Sequence, residues 1–201
     1  MPEDYLSRVV GMLGEPQGRY RDLVSWRELE DGLGVGLPAD YKAIVDGYAP
    51  LLINEHLYLF HPATERWNLG DWVRSTTEAW SEIDWDWAEP DGDPRASLGG
   101  EGLVFGTADG LIPIATTDRG ETIFYAPRGG HGRGALFVEC EGEFFEYSMT
   151  FSEWLYRWLV GDDVAGPESS AFYPGPVALQ GLPMSSEDRH PERWYGPPRG
   201  M

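Results

Sequence analysis

The sequence has a single cysteine, Cys140, so no disulfide can form within the chain. This excludes a disulfide-stapled secreted scaffold and favours a reducing compartment. No stretch approaches the roughly 20 consecutive apolar residues that a membrane-spanning helix needs, and residues 1–14 lack the apolar centre of a secretory signal. We therefore expect a cytoplasmic protein without a membrane partner. Secretion by a route that needs no cleaved signal stays open.

Basic residues are scarce: 15 Lys and Arg stand against 34 Asp and Glu, for a formal net charge of −19. Such a charge repels nucleic acid and anionic membranes, and it favours a basic protein as partner. The alternative is that the acidic charge only keeps the protein soluble. Hydrophobic residues make up 41% of the 201 residues, and nine are Trp, which excludes a wholly disordered chain and predicts one folded domain.

The strongest local pattern lies in residues 103–147. Short β-branched and aromatic runs alternate there with Gly, Asp and Pro, which is typical of strands in an antiparallel meander. The predicted strands are residues 54–60, 103–105, 111–115, 122–125, 135–138 and 144–147. The sequence thus predicts an antiparallel sheet of about five to six strands.

Helical periodicity flanks this block on both sides. The predicted helices are residues 3–13, a helix with its N-cap at Ser25, a helix opened by Pro38, residues 68–87 and residues 151–160. The last of these can cover one face of the sheet, and its start carries a capping box formed by Thr150 and Glu153. We therefore expect an α+β fold with N-terminal helices and a closing C-terminal helix.

From residue 161 onward the composition changes, because seven of the 16 prolines lie in this last part of the chain. We predict a single domain at residues 1–160 and a Pro- and Gly-rich tail at residues 161–201, either loose or wrapped on the domain. Aromatic residues such as Trp194 and Tyr195 indicate that parts of the tail dock.

Acidic and aromatic residues alternate in residues 80–93, which we call the acidic–aromatic segment. Trp is a frequent interface anchor, and carboxylates can meet the Arg and Lys of a basic partner. The predicted contacts are Asp84, Trp85, Asp86, Trp87, Asp91 and Asp93. Two alternatives remain: a solvated helix end with its Trp side chains packed inward, and a metal site, although the acids lack the spacing of an EF-hand loop.

Other candidate sites have weaker support. The basic, Gly-rich residues 127–134 lack the Lys-Ser/Thr of a phosphate-binding loop and are expected to form a flexible hairpin loop. Cys140 is followed by Glu141 and Glu143, whose charges would raise the pKa of its thiol, so a structural role is favoured. With no nucleophile-elbow pattern in the sequence, we predict neither catalytic residues nor a cofactor.

Several short motifs, taken in their order, resemble the SUKH superfamily of cell-wall regulators, suppressor-of-fused-like proteins and bacterial toxin-immunity proteins. The matching motifs are Trp26-Arg27-Glu28-Leu29-Glu30, Leu33-Gly34, Leu37-Pro38-Ala39-Asp40-Tyr41, Leu57-Tyr58-Leu59-Phe60, Phe105-Gly106-Thr107 with Asp109-Gly110, and Phe151-Ser152-Glu153-Trp154-Leu155. The resemblance covers residues 25–160. The acidic–aromatic segment and the tail look like additions to the family pattern.

This resemblance implies an α+β domain that binds another protein and catalyses no reaction. The leading hypothesis is an immunity protein that neutralises a basic, nuclease-like toxin by covering its active site with the acidic–aromatic segment. The second hypothesis is a regulatory scaffold that binds a partner or a second copy through the tail. A third, an enzyme, would require a deep pocket lined by convergent polar groups.

Overall fold

The computed structural model describes residues 4–85, 90–99, 102–132, 134–167, 169–170, 175–187 and 191–198. Helices cover α1 (Tyr5–Leu13), α2 (Leu23–Leu33), α3 (Ala39–Tyr48), α4 (Leu69–Ser81), α5 (Arg95–Leu98), α6 (Gly129–Gly132) and α7 (Phe151–Val160). Strands cover β1 (Leu51–Ile53), β2 (Leu57–Leu59), β3 (Ile112–Thr117), β4 (Thr122–Ala126), β5 (Ala135–Cys140), β6 (Glu143–Tyr147), β7 (Ala178–Gly181) and β8 (Arg193–Tyr195). The α+β class predicted from the sequence is confirmed.

The strands form one antiparallel sheet in the order β6-β5-β4-β3-β2-β1-β7-β8. Its eight strands exceed the predicted five to six. The sequence reading missed β1, a fully apolar run of three residues that lacks an alternating pattern. The predicted strand at residues 103–105 is wrong: the backbone there forms only an isolated bridge between Phe105 and Leu111.

The Pro-rich region supplies the other two additional strands. β7 pairs with β1, with Leu52 opposite Gln180, and β8 pairs with β7. Val177 and Leu179 are fully buried in the main core. The described part of the region is therefore not merely an extended tail, because its strands widen the sheet.

Two of the predicted helices have different boundaries in the structure, and a third matches its prediction. Helix α2 starts at Leu23 rather than after Ser25, because the Asp22 carboxylate accepts hydrogen bonds from the backbone N–H groups of Val24 and Ser25. Helix α7 matches its prediction, and the Thr150 hydroxyl accepts from the Glu153 N–H at 3.2 Å. Helix α4 ends at Ser81, before the predicted end at residue 87.

Two clusters of apolar side chains lie on opposite faces of the sheet. Alternation along β4 sends Ile123 into the main core, which also contains residues of α1, α3 and α7, whereas Phe124 enters a second cluster. We call this second group the aromatic cluster; its rings are Trp80, Trp85, Phe105, Phe124, Phe137 and Phe144. The aromatic cluster underlies the acidic–aromatic segment and thereby positions the candidate site.

Two further features complete the fold. The Gly-rich stretch that was expected to be a flexible loop contains a single helical turn, α6. No helix in the described ranges combines the length and the apolar character needed to cross a lipid bilayer.

Candidate functional site: two acidic surfaces

Trp85 is held by the aromatic cluster. Its ring stacks on Trp80, with centroids 5.5 Å apart and planes 1° apart, and it meets Phe144 at 5.7 Å. Its indole N–H donates to the Trp80 carbonyl at 2.9 Å. This contact turns the chain back over the end of α4 and accounts for the early end of the helix. Trp85 is half-buried, so one part of its ring packs in the aromatic cluster and the rest stays accessible to solvent.

The acidic residues of the segment have different environments. Asp93 lies 2.7 Å from the guanidinium of Arg95 and also accepts from the Arg95 backbone N–H at 2.9 Å. Asp84 and Asp91 are exposed to solvent. Two of the predicted contacts, Asp86 and Trp87, lie outside the described residues.

The segment is fixed to the outer edge of β6. The Phe144 N–H donates to the Asp91 carbonyl at 2.9 Å, which satisfies an edge-strand donor. Gly92 has φ +67°, and a Cβ at this position would lie 1.9 Å from the Phe144 carbonyl oxygen. Only glycine fits so close to the strand, so the exposed carboxylate of Asp91 has a rigid base.

A second acidic surface lies where the sheet ends at two hairpin turns, β3–β4 and β5–β6. Four carboxylates line a recess of about 590 Å³ around Cys140, and we call it the acidic recess: Glu121, Glu139, Glu141 and Glu143. Sequence reasoning missed it as a site because its residues come from different hairpins. The available signal was register: Thr122 faces Glu139 across β4 and β5, and Cys140 faces Glu143 across β5 and β6.

The electrostatics of the recess argue against a reactive thiol. Burial raises the pKa of Cys140, and the neighbouring charge of Glu121 raises this pKa further, as do the other three glutamates. The sequence-based expectation named Glu141 and Glu143 as the cause. The structure makes burial the leading cause and adds the cross-strand carboxylates.

Two histidines, His56 and His61, are packed against aromatic rings and lie beside carboxylates. His56 contacts the Asp118 carboxylate and stacks on Trp158 with centroids 5.8 Å apart. His61 is fully buried, and its Nε2 lies 3.4 Å from Asp46. Burial lowers the pKa of His61 despite the nearby carboxylate, so the neutral ring is favoured at neutral pH.

Two other clefts are open on the surface. One, of about 770 Å³, lies between α6 and the N-terminal ends of α3 and α7, where the Ser152 N–H donates to Asp40 at 2.7 Å. The other, of about 340 Å³, lies beneath the β7–β8 region, beside an ion pair of 2.9 Å between Arg19 and Glu192. In both clefts these charged groups already bind each other or the backbone.

Among the residues that the structure describes, no group of three or more His, Cys, Asp or Glu side chains is arranged to hold a metal ion.

Comparison with protein-family models, with curated proteins and with solved structures found no match to this chain.

Proposed function

We propose that this chain is a non-catalytic protein-binding domain, of the immunity-protein type, that neutralises a basic and nuclease-like toxin by covering its active site. The observation that supports it most is the rigid presentation of acidic groups at one edge of the sheet. There the chain of Asp91 is hydrogen-bonded to β6, and Asp84 precedes a Trp stacked in the aromatic cluster.

Preorganised carboxylates suit a basic partner for two reasons. Ordering a flexible acidic loop on binding would lose entropy, and contacts already hold the chain at the described residues Trp85 and Asp91. A net charge of −19 also steers a cationic surface toward the protein, and this steering weakens as salt screens it. Together these effects favour fast, salt-sensitive association with a basic groove.

The test begins with affinity capture of the tagged protein from its native cells, eluted with rising salt and analysed by mass spectrometry. We expect one basic partner that is released by salt and is toxic when expressed without this protein. Binding is then measured for a triple variant with Asp84, Asp91 and Asp93 changed to Lys. Its control changes three exposed acids on other surfaces, Glu28, Asp31 and Glu65, to Lys.

Both triple variants change the net charge equally, so the comparison separates the segment from overall charge. We expect the segment variant to lose at least about tenfold in affinity and the control to lose much less. Equal losses would reduce the effect to net charge, and unchanged binding by the segment variant would refute occlusion by this segment. Thermal unfolding of both variants confirms that they remain folded.

The alternative function is a regulatory scaffold that binds a partner or a second copy through the C-terminal region. One observation favours it: β8 is an edge strand of the sheet, and Tyr195 on it is 64% exposed. Deleting the region would also remove the buried Leu179, so a point change is a cleaner test. If β8 is the binding edge, Tyr195→Lys abolishes partner binding or self-association in analytical ultracentrifugation, whereas the occlusion mechanism predicts no effect.

A further inference from the structure

The acidic recess contains a buried carboxylate oxygen that has no hydrogen-bond partner among the residues the structure describes. Glu121 is only 7% exposed, and its Oε2 is buried with no hydrogen-bond partner in the described structure. The backbone of the same residue is fully used, since its N–H donates to the Thr117 hydroxyl at 3.2 Å and its carbonyl accepts from the Thr116 hydroxyl at 2.9 Å. The backbone of Glu121 is therefore held by the β3–β4 turn, while Oε2 of its side chain has no hydrogen-bond partner among the described residues.

Glu139 places a second buried carboxylate beside it. Glu139 is 8% exposed, and one of its oxygens accepts from the Gly142 N–H at 2.7 Å. Burial raises the pKa of Glu139, and the charge of Glu121 raises it further. Two like charges thus share a poorly solvated position between the β3–β4 and β5–β6 turns.

No cation of the described structure neutralises these two groups. Neither Glu121 nor Glu139 forms an ion pair with a described residue, and the exposed Arg119 at the rim likewise forms none there. A buried carboxylate without a partner is destabilising, and a fold keeps such a group most readily where a ligand completes it. The remaining acids of the recess, Glu141 and Glu143, are exposed and extend the negative surface outward.

We propose that the acidic recess binds the side-chain cation of a lysine or arginine supplied by the basic partner. This inference rests on the proposed function and names a second contact surface for it. An organic cation fits better than a metal ion, because the carboxylates do not converge as a group of three ligands within the described residues. The recess of about 590 Å³ is large enough to admit a whole basic side chain.

The experiment titrates the full chain with an oligoarginine peptide and an oligolysine peptide, followed by calorimetry and by ¹H–¹⁵N NMR. The variants are Glu121→Gln with Glu139→Gln, and a control in which two exposed acids on α2, Glu28 and Asp31, become Gln and Asn. We expect the recess variant to bind the peptides about tenfold more weakly than the control. The Gly142 amide should shift on binding, because its N–H reports directly on the Glu139 carboxylate.

A stability measurement separates a binding role from a structural one. If the two carboxylates are retained for a ligand, the recess variant is more thermally stable than the wild type while it binds the peptides less well. Loss of stability together with loss of binding would show that the carboxylates support the fold, and it would overturn the proposal.

Two further measurements test the role of Arg119 at the rim and the identity of the bound cation. Arg119→Ala should strengthen peptide binding, because the change removes a positive charge at the rim that repels an incoming cation; weaker binding would overturn the assignment. Calcium chloride alone should leave the Gly142 amide unmoved, and a localised shift would replace the organic cation with a metal. If the recess variant binds the peptides as the control does, the recess proposal fails, whereas occlusion is still judged by the triple variant of Asp84, Asp91 and Asp93.

Discussion

The two acidic surfaces differ in how their charge is accommodated. In the acidic–aromatic segment the negative residues lie close together in sequence, yet Asp93 has an ion pair with Arg95, and the side chains of Asp84 and Asp91 are exposed. In the acidic recess the residues come from two hairpins, and Glu121 and Glu139 are buried without an ion pair to any described residue.

This difference shows that the number of acids in a stretch of sequence does not indicate how unfavourable their charges are in the folded protein. Water and nearby cations reduce the repulsion between neighbouring exposed carboxylates, since surface charges interact weakly through solvent. Two buried carboxylates at neighbouring strand ends remain destabilising, because little solvent reaches them and no cation of the described residues pairs with them. The segment is therefore suited to long-range attraction of a basic partner, and the recess to a specific short-range contact.

The largest effect should come from removing the aromatic base of the segment. We expect Trp85→Ala to lower the free energy of unfolding by about 3 kcal/mol, because the change leaves a void beside Trp80 and Phe144. Urea denaturation measures it, with the exposed neighbour Glu82→Gln as control. If both variants are equally stable, the packing of Trp85 does not hold the acidic–aromatic segment in place.

A smaller loss should follow when the segment is pushed away from β6. Gly92→Ala should destabilise the protein by about 2 kcal/mol, through positive φ and a clash with the Phe144 carbonyl. Gly99→Ala is the matched control, because its φ is +71° but nothing lies within 4 Å of the added Cβ. Faster hydrogen exchange of the Phe144 amide in Gly92→Ala alone would locate the damage, whereas equal effects of both changes would show that the segment is not held there.

The recess should respond in the opposite direction, with a gain in stability. Because the folded-state pKa of Glu139 is raised, its ionised form is disfavoured in the fold, and this unfavourable contribution is present above the folded pKa. Glu139→Gln should therefore stabilise the protein by about 0.5–2 kcal/mol at neutral pH. The gain should shrink as the pH falls through the folded pKa and vanish well below about 4, where the carboxyl is protonated in both states.

Thermal unfolding across this pH range tests that prediction. The groups around Glu139 in the recess are Glu121, Glu141, Glu143, Cys140 and Arg119. The matched control is Glu28→Gln, which removes one carboxylate from an exposed position on α2. If Glu139→Gln is less stable than the wild type at neutral pH, the ionised Glu139 carboxylate does not destabilise the fold.

The smallest effect should come from the ion pair of the segment. Asp93→Asn should cost about 0.5–1 kcal/mol, because the Asp93–Arg95 pair is partly exposed and local in sequence. The loss should shrink in high salt, which a denaturation series at rising ionic strength would show. A salt-independent loss larger than that of Gly92→Ala would mean that the pair, rather than the aromatic cluster, holds the segment.

Local patterns were sufficient where neighbours in sequence are also neighbours in space. The β4–β5–β6 meander follows from alternating aromatic runs and turn residues, and α7 follows from its cap at Thr150 and its apolar face. The early end of α4 did not follow, since it depends on Trp85 folding back onto Trp80. The start of α2 at Leu23 depended on a choice between two good caps, Asp22 and Ser25.

The candidate site divides in the same way. The acidic–aromatic segment was found from its composition, although which of its Trp side chains point inward was left open. The acidic recess was not found, because its carboxylates lie in separate strands and only pairing brings them together.

The α+β class, the large negative charge and the position of the central hairpins follow from residue order alone, because they depend on composition and on period-two patterning. The pairing of β7 with β1 does not follow from residue order, since it links distant parts of the chain and depends on burying Val177 and Leu179 in the folded core. Tertiary structure also decided which carboxylates lose their water, because desolvation is a property of packing and not of residue order.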